Sequence, residues 1–349
     1  MPGGSAVDYR YLEKMTDRTG IIQFAIQDQP DRKSGYTVDD NARALLVALK
    51  REDEKKEELA KTFISFLKDA FLPEGSWRNL KLEGKWLAHL DSEDCQGRAL
   101  LACSIAAASD CEEIKGLAFQ MLEKALPAVA RLQFPRAKAY AVLGLMNSIP
   151  LFGRKGEQLA DLARELCESL IYLYNRCKGK GWYWFEDTVT YCNGIIPQAL
   201  FAYYCYCSDR RAYLTARESF SFLCDHLFAK GYLSIVGNRG WWQRGEEIPK
   251  FDQQPVDACS MVLACQEAYQ ATGDKVYRDL AELAYQWYLG KNINKLPLYN
   301  KETGGCHDGL TPEGVNPNQG AEALLSWLYS SQLMKEWQGS ETTAVSVGG

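Results

Sequence analysis

The chain has 349 residues, of which 46% are hydrophobic and 24% are charged, and its net charge is −5. This balance is that of a globular protein and excludes an intrinsically disordered one. The negative charge and the lack of a long basic block argue against nucleic acid or an anionic membrane as a partner. No apolar run approaches the roughly 20 residues of a membrane span. Because the N-terminus also lacks the basic and apolar regions of a signal peptide, we expect a cytoplasmic protein.

Cysteine and histidine usage indicates neither disulfides nor a metal site. Twelve cysteines occur without a single CxxC pair. Five of them lie among Ala, Leu and Tyr in helix-like runs, where cysteine behaves as a small apolar side chain: Cys103, Cys205, Cys207, Cys259 and Cys265. The three histidines lack the spacing of metal ligands, and the chain has no phosphate-binding glycine loop or dinucleotide fingerprint. We therefore expect reduced core thiols, no metal and no cofactor.

A repeat runs through the whole chain. Six times, a polar or acidic loop leads into a segment rich in small residues. In chain order these segments are 39–49, 94–108, 135–145, 192–206, 255–269 and 318–330. Equivalent positions, from Ala42 in the first segment to Gly320 in the last, are 40 to 64 residues apart. Each repeat therefore has room for two helices of ordinary length.

The segments between these repeats are amphipathic and more charged, with apolar residues at helical spacing. They are 57–71, 112–132, 155–177, 209–228 and 274–290, and residues 6–16 supply a twelfth helix. The first set is apolar nearly all round and is expected inside; the second set has one polar face and is expected outside. The pattern predicts an all-α fold, an (α/α)6 toroid, with residues 1–337 as a single domain and 338–349 as a flexible tail. An open α-solenoid of the same hairpins is the alternative.

Loop lengths predict where the functional face lies. Connections from inner to outer helices are short, whereas four connections from outer to inner helices are long. The long connections are roughly 72–93, 178–191, 229–254 and 291–317. Long loops in a compact domain are usually functional. All of them lie at the end where inner helices begin, and helix N-termini favour anionic or hydroxylated ligands.

Tryptophans are concentrated in these long loops. Six of the nine occur there: Trp77, Trp86, Trp182, Trp184, Trp241 and Trp242. A flat ring beside acids and amides suits a sugar, whose apolar face stacks while its hydroxyls find polar partners. We predict that Trp86, Trp182, Trp184 and Trp242 stack on sugar rings. The alternative is that these rings fasten the loops to the core.

Carboxylic acids gather at the starts of the same inner helices. A helix start needs only one acid as a cap, so the second acid of a pair such as Asp39-Asp40 is spare. Cleavage of a glycosidic bond needs two carboxyl groups, one to protonate the leaving oxygen and one to activate water or attack the anomeric carbon. The predicted catalytic residues are Asp39, Asp40, Asp94, Glu186 and Asp187.

Further residues at the same helix starts are predicted to bind a carbohydrate substrate beside the four stacking tryptophans. They are Tyr36, His89, Arg98, Gln254, Asp257, His307, Asp308, Gln319 and Glu322.

The hairpin count, the acids at inner-helix starts and the rim tryptophans together resemble the six-hairpin glycosidase-like superfamily. The segment SGYTVDDNARAL at 34–45 is similar to the start of the inverting cellulase-type members. This similarity implies that Asp39 or Asp40 positions the attacking water. The region 287–328 is similar to their closing loop and last helix, which implies that Glu322 is the general acid.

One departure from that family concerns the acid. Where the family has an Asn-Glu pair, this chain reads Asn318-Gln319, and Glu322 follows three residues later inside the helix.

The spans 181–200 and 251–269 resemble uncharacterised bacterial proteins that are encoded with, or fused to, sugar-transferring enzymes. This resemblance implies an association with a glycosyltransferase. The resulting hypothesis is an inverting glycoside hydrolase that acts on an oligosaccharide or glycan. Two alternatives stay open: a non-catalytic carbohydrate-binding domain that partners a glycosyltransferase, and a sugar 2-epimerase with His89 and His307 as acid and base.

Overall fold

The computed structural model describes residues 6–347, with side chains through residue 337. This part of the chain forms twelve α-helices. They are α1 (Arg10–Met15), α2 (Val38–Leu49), α3 (Lys56–Ala70), α4 (Glu93–Ala106), α5 (Glu112–Val129), α6 (Pro135–Ser148), α7 (Gly156–Cys177), α8 (Ile195–Cys207), α9 (Arg210–Leu227), α10 (Pro255–Thr272), α11 (Val276–Gln286) and α12 (Ala321–Val347).

Nine short strands lie in the connections and form four small antiparallel sheets, β1–β2, β3–β4–β5, β6–β7 and β8–β9. They are β1 (Ala25–Ile26), β2 (Gln29–Pro30), β3 (Tyr36–Thr37), β4 (Leu80–Leu82), β5 (Lys85–Leu87), β6 (Thr188–Val189), β7 (Trp242–Gln243), β8 (Leu310–Thr311) and β9 (Gly314–Val315). In the second sheet Thr37 pairs with Leu80, which places the start of α2 beside the long connection between α3 and α4.

The even-numbered helices form a closed inner ring. Contacts run from α2 through α4, α6, α8 and α10 to α12, and α12 in turn contacts α2. Each inner helix pairs with an outer one: α3 with α2, α5 with α4, α7 with α6, α9 with α8, α11 with α10, and α1 with α12. An open solenoid would leave the first and last repeats apart. The (α/α)6 toroid predicted from the repeats is therefore confirmed.

Small residues in the inner helices allow the ring to close tightly. A Cβ added at Gly97 of α4 would lie 2.7 Å from the carbonyl oxygen of Ala137 on α6. A Cβ added at Gly144 of α6 would lie 3.2 Å from the backbone nitrogen of Leu101 on α4. A larger side chain at Gly97 would push the two helices apart, because interiors are close-packed.

Most helix bounds agree with the sequence pattern within a few residues, but both ends of the chain differ. The outer helix α1 is only six residues long, Arg10–Met15. The last inner helix begins at Ala321 and its backbone continues to Val347, past the predicted domain end at Trp337. Residues 348–349 of the predicted tail lie outside the described residues. Among the described residues, no helix combines the length and the hydropathy that crossing a membrane requires.

Two of the five cysteines expected in the core are not buried. Cys103, Cys259 and Cys265 are buried as predicted, whereas Cys205 and Cys207 are exposed. The exposed pair lies in the last turn of α8, where that helix leaves the inner ring. Tyr206, which lies between them, is 52% exposed as well, so an apolar composition did not indicate burial at this helix end.

Candidate active site

A cleft of about 460 Å³ opens at the end of the toroid where the inner helices begin. The first turns of α2, α10 and α12 border it, together with the connections that precede α2, α4, α10 and α12. Three of the four connections predicted from loop length, 72–93, 229–254 and 291–317, therefore converge on one hollow. The charged residues that border the cleft are Asp39, Asp40, Arg43, Arg98, Asp252, Asp308 and Glu322.

The acids at the start of α2 are not helix caps. Thr37 caps α2, because its hydroxyl accepts a hydrogen bond of 3.1 Å from the backbone N–H of Asp40. Ser92 caps α4 in the same way, accepting from the N–H of Cys95 at 3.2 Å. Since short hydroxyl side chains satisfy these helix ends, the carboxylates of Asp39 and Asp40 are left for other partners.

Both carboxyl oxygens of Asp39 are engaged by protein groups. Arg98 Nη1 donates to Oδ1 at 2.9 Å, and the amide of Asn79 donates to Oδ2 at 2.9 Å. Burial raises the pKa of Asp39, but the guanidinium groups of Arg98 and Arg43 outweigh burial and lower the pKa below its ordinary value. Asp39 is therefore a fixed carboxylate that orients Arg98.

Both carboxyl oxygens of Asp40 also accept hydrogen bonds from protein groups, but its pKa is shifted in the opposite direction from that of Asp39. The Thr37 hydroxyl donates to Oδ2 at 2.6 Å, and Arg43 Nη1 donates to Oδ1 at 3.1 Å. Burial raises the pKa of Asp40 to about 6; Arg43 opposes this shift, and the charges of Glu322 and Asp39 add to it. Two adjacent aspartates thus differ in pKa because each meets a different balance of burial and guanidinium charge.

Asp308 and Glu322 each leave one oxygen to the cleft. Asp308 Oδ1 accepts the backbone N–H of Gly320 at 2.6 Å, and Glu322 Oε2 accepts from Arg43 Nη2 at 2.7 Å. The second oxygen of each acid has no protein partner among the described residues. Burial raises the pKa of Asp308 to about 6; the Gly320 N–H opposes that shift, and the charge of Glu322 adds to it.

Asp257 lies behind the cleft and does not border it. Its Oδ1 accepts the backbone N–H of Cys192 at 2.6 Å, whereas the buried Oδ2 has no partner in the part of the chain that is described. Burial raises the pKa of Asp257 to about 8. The predicted substrate-binding residue is thus a neutral, buried acid at neutral pH.

Three of the five predicted catalytic residues lie outside the cleft. Asp94 is buried and accepts the hydroxyl of Tyr191 at 2.8 Å. Glu186 forms an ion pair of 2.8 Å with Arg136. Asp187 has a side chain that is 76% exposed. Glu186 and Asp187 belong to the connection between α7 and α8, which contributes no residue that borders the cleft.

The four tryptophans predicted to stack on sugars do not border the cleft either. Trp182 and Trp242 are buried against each other with ring centroids 5.0 Å apart, and Trp184 is fully buried. Trp86 packs on Phe66 of the outer helix α3 at 5.1 Å. These positions correct the stacking expectation: the rings hold the loops against the helices.

The remaining predicted binding residues divide between the cleft and its surroundings. Arg98, Gln254, Asp308 and Glu322 border the cleft. Four others do not: Tyr36, His89, His307 and Gln319. The chain's three histidines all lie among the described residues, and none borders the cleft. Within the described residues, no group of three or more His, Cys, Asp or Glu side chains is arranged to hold a metal ion.

Sequence reasoning missed several uncharged residues of the cleft, including Gln23, Phe24, Asn79 and Leu90. Phe24 is 54% exposed and Leu90 is 41% exposed, so they supply its accessible apolar surface. The connection between α1 and α2 contains Phe24 and is also a long connection into an inner helix. If this connection had been counted among the long connections, Phe24 would have been predicted to lie at the functional face.

No protein-family model matches this sequence, and no curated protein matches it. Solved structures share its fold at low identity. A sugar epimerase from a ruminal bacterium superimposes with a TM-score of 0.71 and 15% identity, covering 92% of this chain and 93% of that one. D-mannose isomerase gives a TM-score of 0.69 and 14% identity, covering 95% of each chain.

A third similar structure is an α-1,6-mannanase of Salegentibacter sp. in complex with α-1,6-mannotriose, an inactive variant with two adjacent aspartates replaced by asparagine. Its TM-score is 0.60 at 12% identity, and the match covers 94% of this chain and 96% of that one. Identities this low establish the architecture and leave the activity to the site. The chain therefore has an (α/α)6 toroid fold, the architecture that it shares with these three structures.

Proposed function

We propose that the protein is a glycoside hydrolase that cleaves an oligosaccharide in the cleft, with Asp308 as proton donor and Glu322 as the second carboxylate. The observation that carries this proposal is that both acids border the cleft and each keeps one oxygen free of protein partners. Hydrolysis of a glycosidic bond needs two such groups. The fold of the mannanase is consistent with the same class of substrate.

The pKa of Asp308 supports its role as the acid. A general acid must be protonated at the working pH, and burial raises the pKa of Asp308 to about 6. Asp40 has a raised pKa too, but the Thr37 hydroxyl and the Arg43 guanidinium occupy both of its oxygens. We therefore assign Asp40 a positioning role, because it holds the guanidinium that also binds Glu322.

In the proposed reaction the free oxygen of Asp308 gives its proton to the glycosidic oxygen as the bond to the anomeric carbon breaks. Glu322 takes a proton from a water molecule, and the water oxygen forms the new bond to that carbon. The proton on Glu322 then returns to solvent, and Asp308 is reprotonated. Attack by water gives inversion, the outcome that the resemblance to the cellulase-type members implies. The assignment of Glu322 as base differs from that resemblance because Arg43 holds Glu322 while Asp308 is the more buried acid.

The side walls of the cleft suit a neutral sugar. Phe24 offers an exposed ring for the apolar face of a pyranose, as an aromatic side chain does at other carbohydrate and ligand sites. Asn79, Asn238 and Gln254 place amides around the same hollow, where they can exchange hydrogen bonds with hydroxyl groups. We propose Phe24 as the stacking residue in place of the tryptophans.

The proposal is tested by incubating the purified protein with a panel of α- and β-linked gluco- and manno-oligosaccharides. Product chromatography is expected to show shorter oligosaccharides, and NMR of the first products is expected to show inverted anomeric configuration. Asp308→Asn is expected to abolish these products, and Asp187→Asn, which alters an exposed acid outside the cleft, is the matched control. Binding of oligosaccharides without any product would instead favour a non-catalytic binding domain.

A sugar 2-epimerase is the second candidate, because the epimerase and isomerase superimpose with higher TM-scores (0.71 and 0.69) than the mannanase does (0.60). The histidines predicted for that chemistry do not border the cleft, so proton transfer would fall to its carboxyl groups. The same incubations distinguish the two activities. An epimerase changes the identity of the reducing-end sugar and leaves the chain length unchanged.

The association with a glycosyltransferase stays a separate proposal. Co-purification of the tagged protein with a glycosyltransferase from its native cells is the corresponding experiment. A negative result in this experiment would not argue against the hydrolase proposal, since that proposal rests on the cleft alone.

A further inference from the structure

A second space lies on the axis of the toroid, beyond the floor of the cleft. It has a volume of about 280 Å³, and we call it the axial chamber. Arg43 and Arg98 border both the cleft and the axial chamber, so their guanidinium groups separate the two. The cleft uses the first turns of α2 and α12, whereas the axial chamber uses later turns of the same helices, up to Lys50 and Leu333.

The axial chamber opens at the end of the toroid opposite the cleft. Lys50, Asn147 and Gln270 border it at the ends of α2, α6 and α10. Asn147 and Gln270 are exposed, so they stand at its mouth. Aliphatic side chains form its walls, among them Leu46, Leu101, Leu143 and Leu263. A mostly apolar pocket with a few polar groups is the usual form of a small-molecule site.

Two of the polar side chains that border the chamber, Gln198 and Glu267, present acceptor oxygens to each other. Gln198 on α8 is 8% exposed, and its buried Oε1 has no hydrogen-bond partner in the described chain. The Gln198 side chain hydrogen-bonds the carboxyl group of Glu267 on α10. An ionised Glu267 carboxyl can only accept hydrogen bonds, so it cannot satisfy Oε1. Glu267 forms no ion pair with any residue that the structure describes.

We propose that the axial chamber is a second ligand site, separate from the cleft, and that it binds a small primary amine with an apolar body. The ammonium group donates to the Glu267 carboxylate and to Gln198 Oε1, and the apolar body packs on the leucine side chains. An ammonium supplies three donors and a compensating charge. Both are what this buried acceptor pair lacks, and leaving such groups unpaired is costly.

The protonation of Glu267 supports this choice of ligand. Burial raises the pKa of Glu267 to about 7, with the Gln198 hydrogen bond opposing the shift. A bound cation stabilises the ionised form, so the amine binds more tightly where Glu267 is already ionised. The affinity is therefore expected to rise with pH across neutrality.

The other titratable groups around Glu267 do not account for such a rise. Those that border the chamber are Arg43, Lys50, Arg98, Tyr140, Cys192, Cys259 and Tyr329, and Cys205 lies near Glu267 on α8. Burial raises the pKa of each of these tyrosines and cysteines, which moves them further from neutrality.

The experiment measures binding of phenethylamine to the full-length protein by isothermal titration calorimetry. The ionised fraction of a group with a pKa near 7 rises about tenfold from about pH 6 to about pH 8, so the affinity is expected to rise by about the same factor. Glu267→Gln is expected to remove the pH dependence and to weaken binding at the higher pH at least tenfold. Glu165→Gln, on the exposed face of α7, is the charge-matched control and is expected to bind like the parent protein.

Two further measurements separate this site from alternatives. Leu263→Trp fills the axial chamber and is expected to abolish amine binding while oligosaccharide binding in the cleft persists. Phenethyl alcohol, the neutral analogue, is expected to bind more weakly and without pH dependence. No amine binding at millimolar concentration, undiminished binding in Glu267→Gln, or equal affinity for the alcohol overturns the proposal. None of these outcomes depends on whether the protein hydrolyses sugars.

Discussion

Arg43 on the first inner helix, α2, and Glu322 on the last, α12, form an ion pair of 2.7 Å, although 279 positions separate them in the chain. Arg43 also binds Asp40 at 3.1 Å. One guanidinium therefore joins two acids across the contact between α2 and α12, where the toroid closes. Closure of the ring and assembly of the candidate active site depend on the same side chain.

Replacing either proposed catalytic acid is expected to remove activity and leave the fold intact. Asp308→Asn and Glu322→Gln each retain the hydrogen bonds that a carbonyl oxygen can accept, but neither variant can transfer a proton. We expect kcat on a hydrolysed oligosaccharide to fall by about 10²- to 10⁴-fold. Circular dichroism should show an unchanged helical spectrum. Retention of full activity by Asp308→Asn would exclude it as the acid, with Asp187→Asn as the unaffected reference.

The activity is expected to fall as pH rises above about 6. Asp308 must carry a proton to act as the acid, and its pKa is raised to about 6, so each pH unit above that value removes about tenfold of the active form. The measurement is kcat/KM against pH. Asp40 has a raised pKa of about 6 as well. If deprotonation of Asp308 causes the fall in activity above about pH 6, the Asp40→Asn variant should show the same fall. Its absence in that variant would show that Asp40 causes the fall.

Removing the Arg43 guanidinium is expected to destabilise the protein strongly. Arg43→Met leaves the buried carboxyl of Asp40 without its cation, and breaking a buried pair in this way costs about 3–5 kcal/mol of unfolding free energy. The loss of unfolding free energy is measured by chemical denaturation. Arg164→Met breaks an exposed pair with Asp161 and should cost less than about 1 kcal/mol. A double variant, Arg43→Met with Asp40→Asn, should recover part of the loss, because no buried charge then stays unpaired.

Asp257 is expected to make stability depend on pH. Its pKa in the folded protein is about 8, against an ordinary value of 3.8, so between these values the folded state binds a proton that the unfolded state has released. Stability that is fully present below about pH 4 is therefore lost as pH rises toward 8. Asp257→Asn removes this loss. Relative to the parent protein, the variant should gain roughly 2–4 kcal/mol of unfolding free energy between about pH 4 and about pH 8.

That gain is measured as the difference between the two proteins in urea denaturation at each pH. Other buried acids contribute equally to both proteins and cancel. A difference that stays constant with pH would show that Asp257 is ionised in the folded protein.

Phe24→Ala is expected to weaken substrate binding more than catalysis. Loss of the stacking ring should raise KM about five- to tenfold, an effect of roughly 1 kcal/mol, while kcat changes little. Ile26→Ala is the matched control, because Ile26 is 68% exposed on the same short hairpin but does not border the cleft. Equal effects of the two substitutions would show that the hairpin's stability, and not the ring, matters.

The tryptophans show why the candidate site was only partly predictable. Trp182, Trp184 and Trp242 occur in long loops, as residues of a sugar site would, yet all three are buried. The composition of a loop shows that it is apolar, but it does not show whether its aromatic rings point into a cleft or into the core. Asp39, Asp40 and Glu322 were selected from their positions at inner-helix starts, and all three border the cleft. Asp94 and Asp257 were selected in the same way but do not border it. A position at a helix start follows from the fold, whereas a loop side chain's direction depends on contacts with distant residues.

The amino-acid sequence by itself determined the number of helices, their order and which of them lie inside, because helical periodicity and small-residue content are local properties of each segment. Only the tertiary structure decided which acids share the cleft and which oxygens are free. Glu186 and Asp308 both occur in long connections into inner helices, but Arg136 binds Glu186 away from the cleft while Gly320 anchors Asp308 within it. Arg136 and Gly320 are separated in sequence from the acids that they bind. Whether each partner reaches its acid therefore depends on how the ring closes.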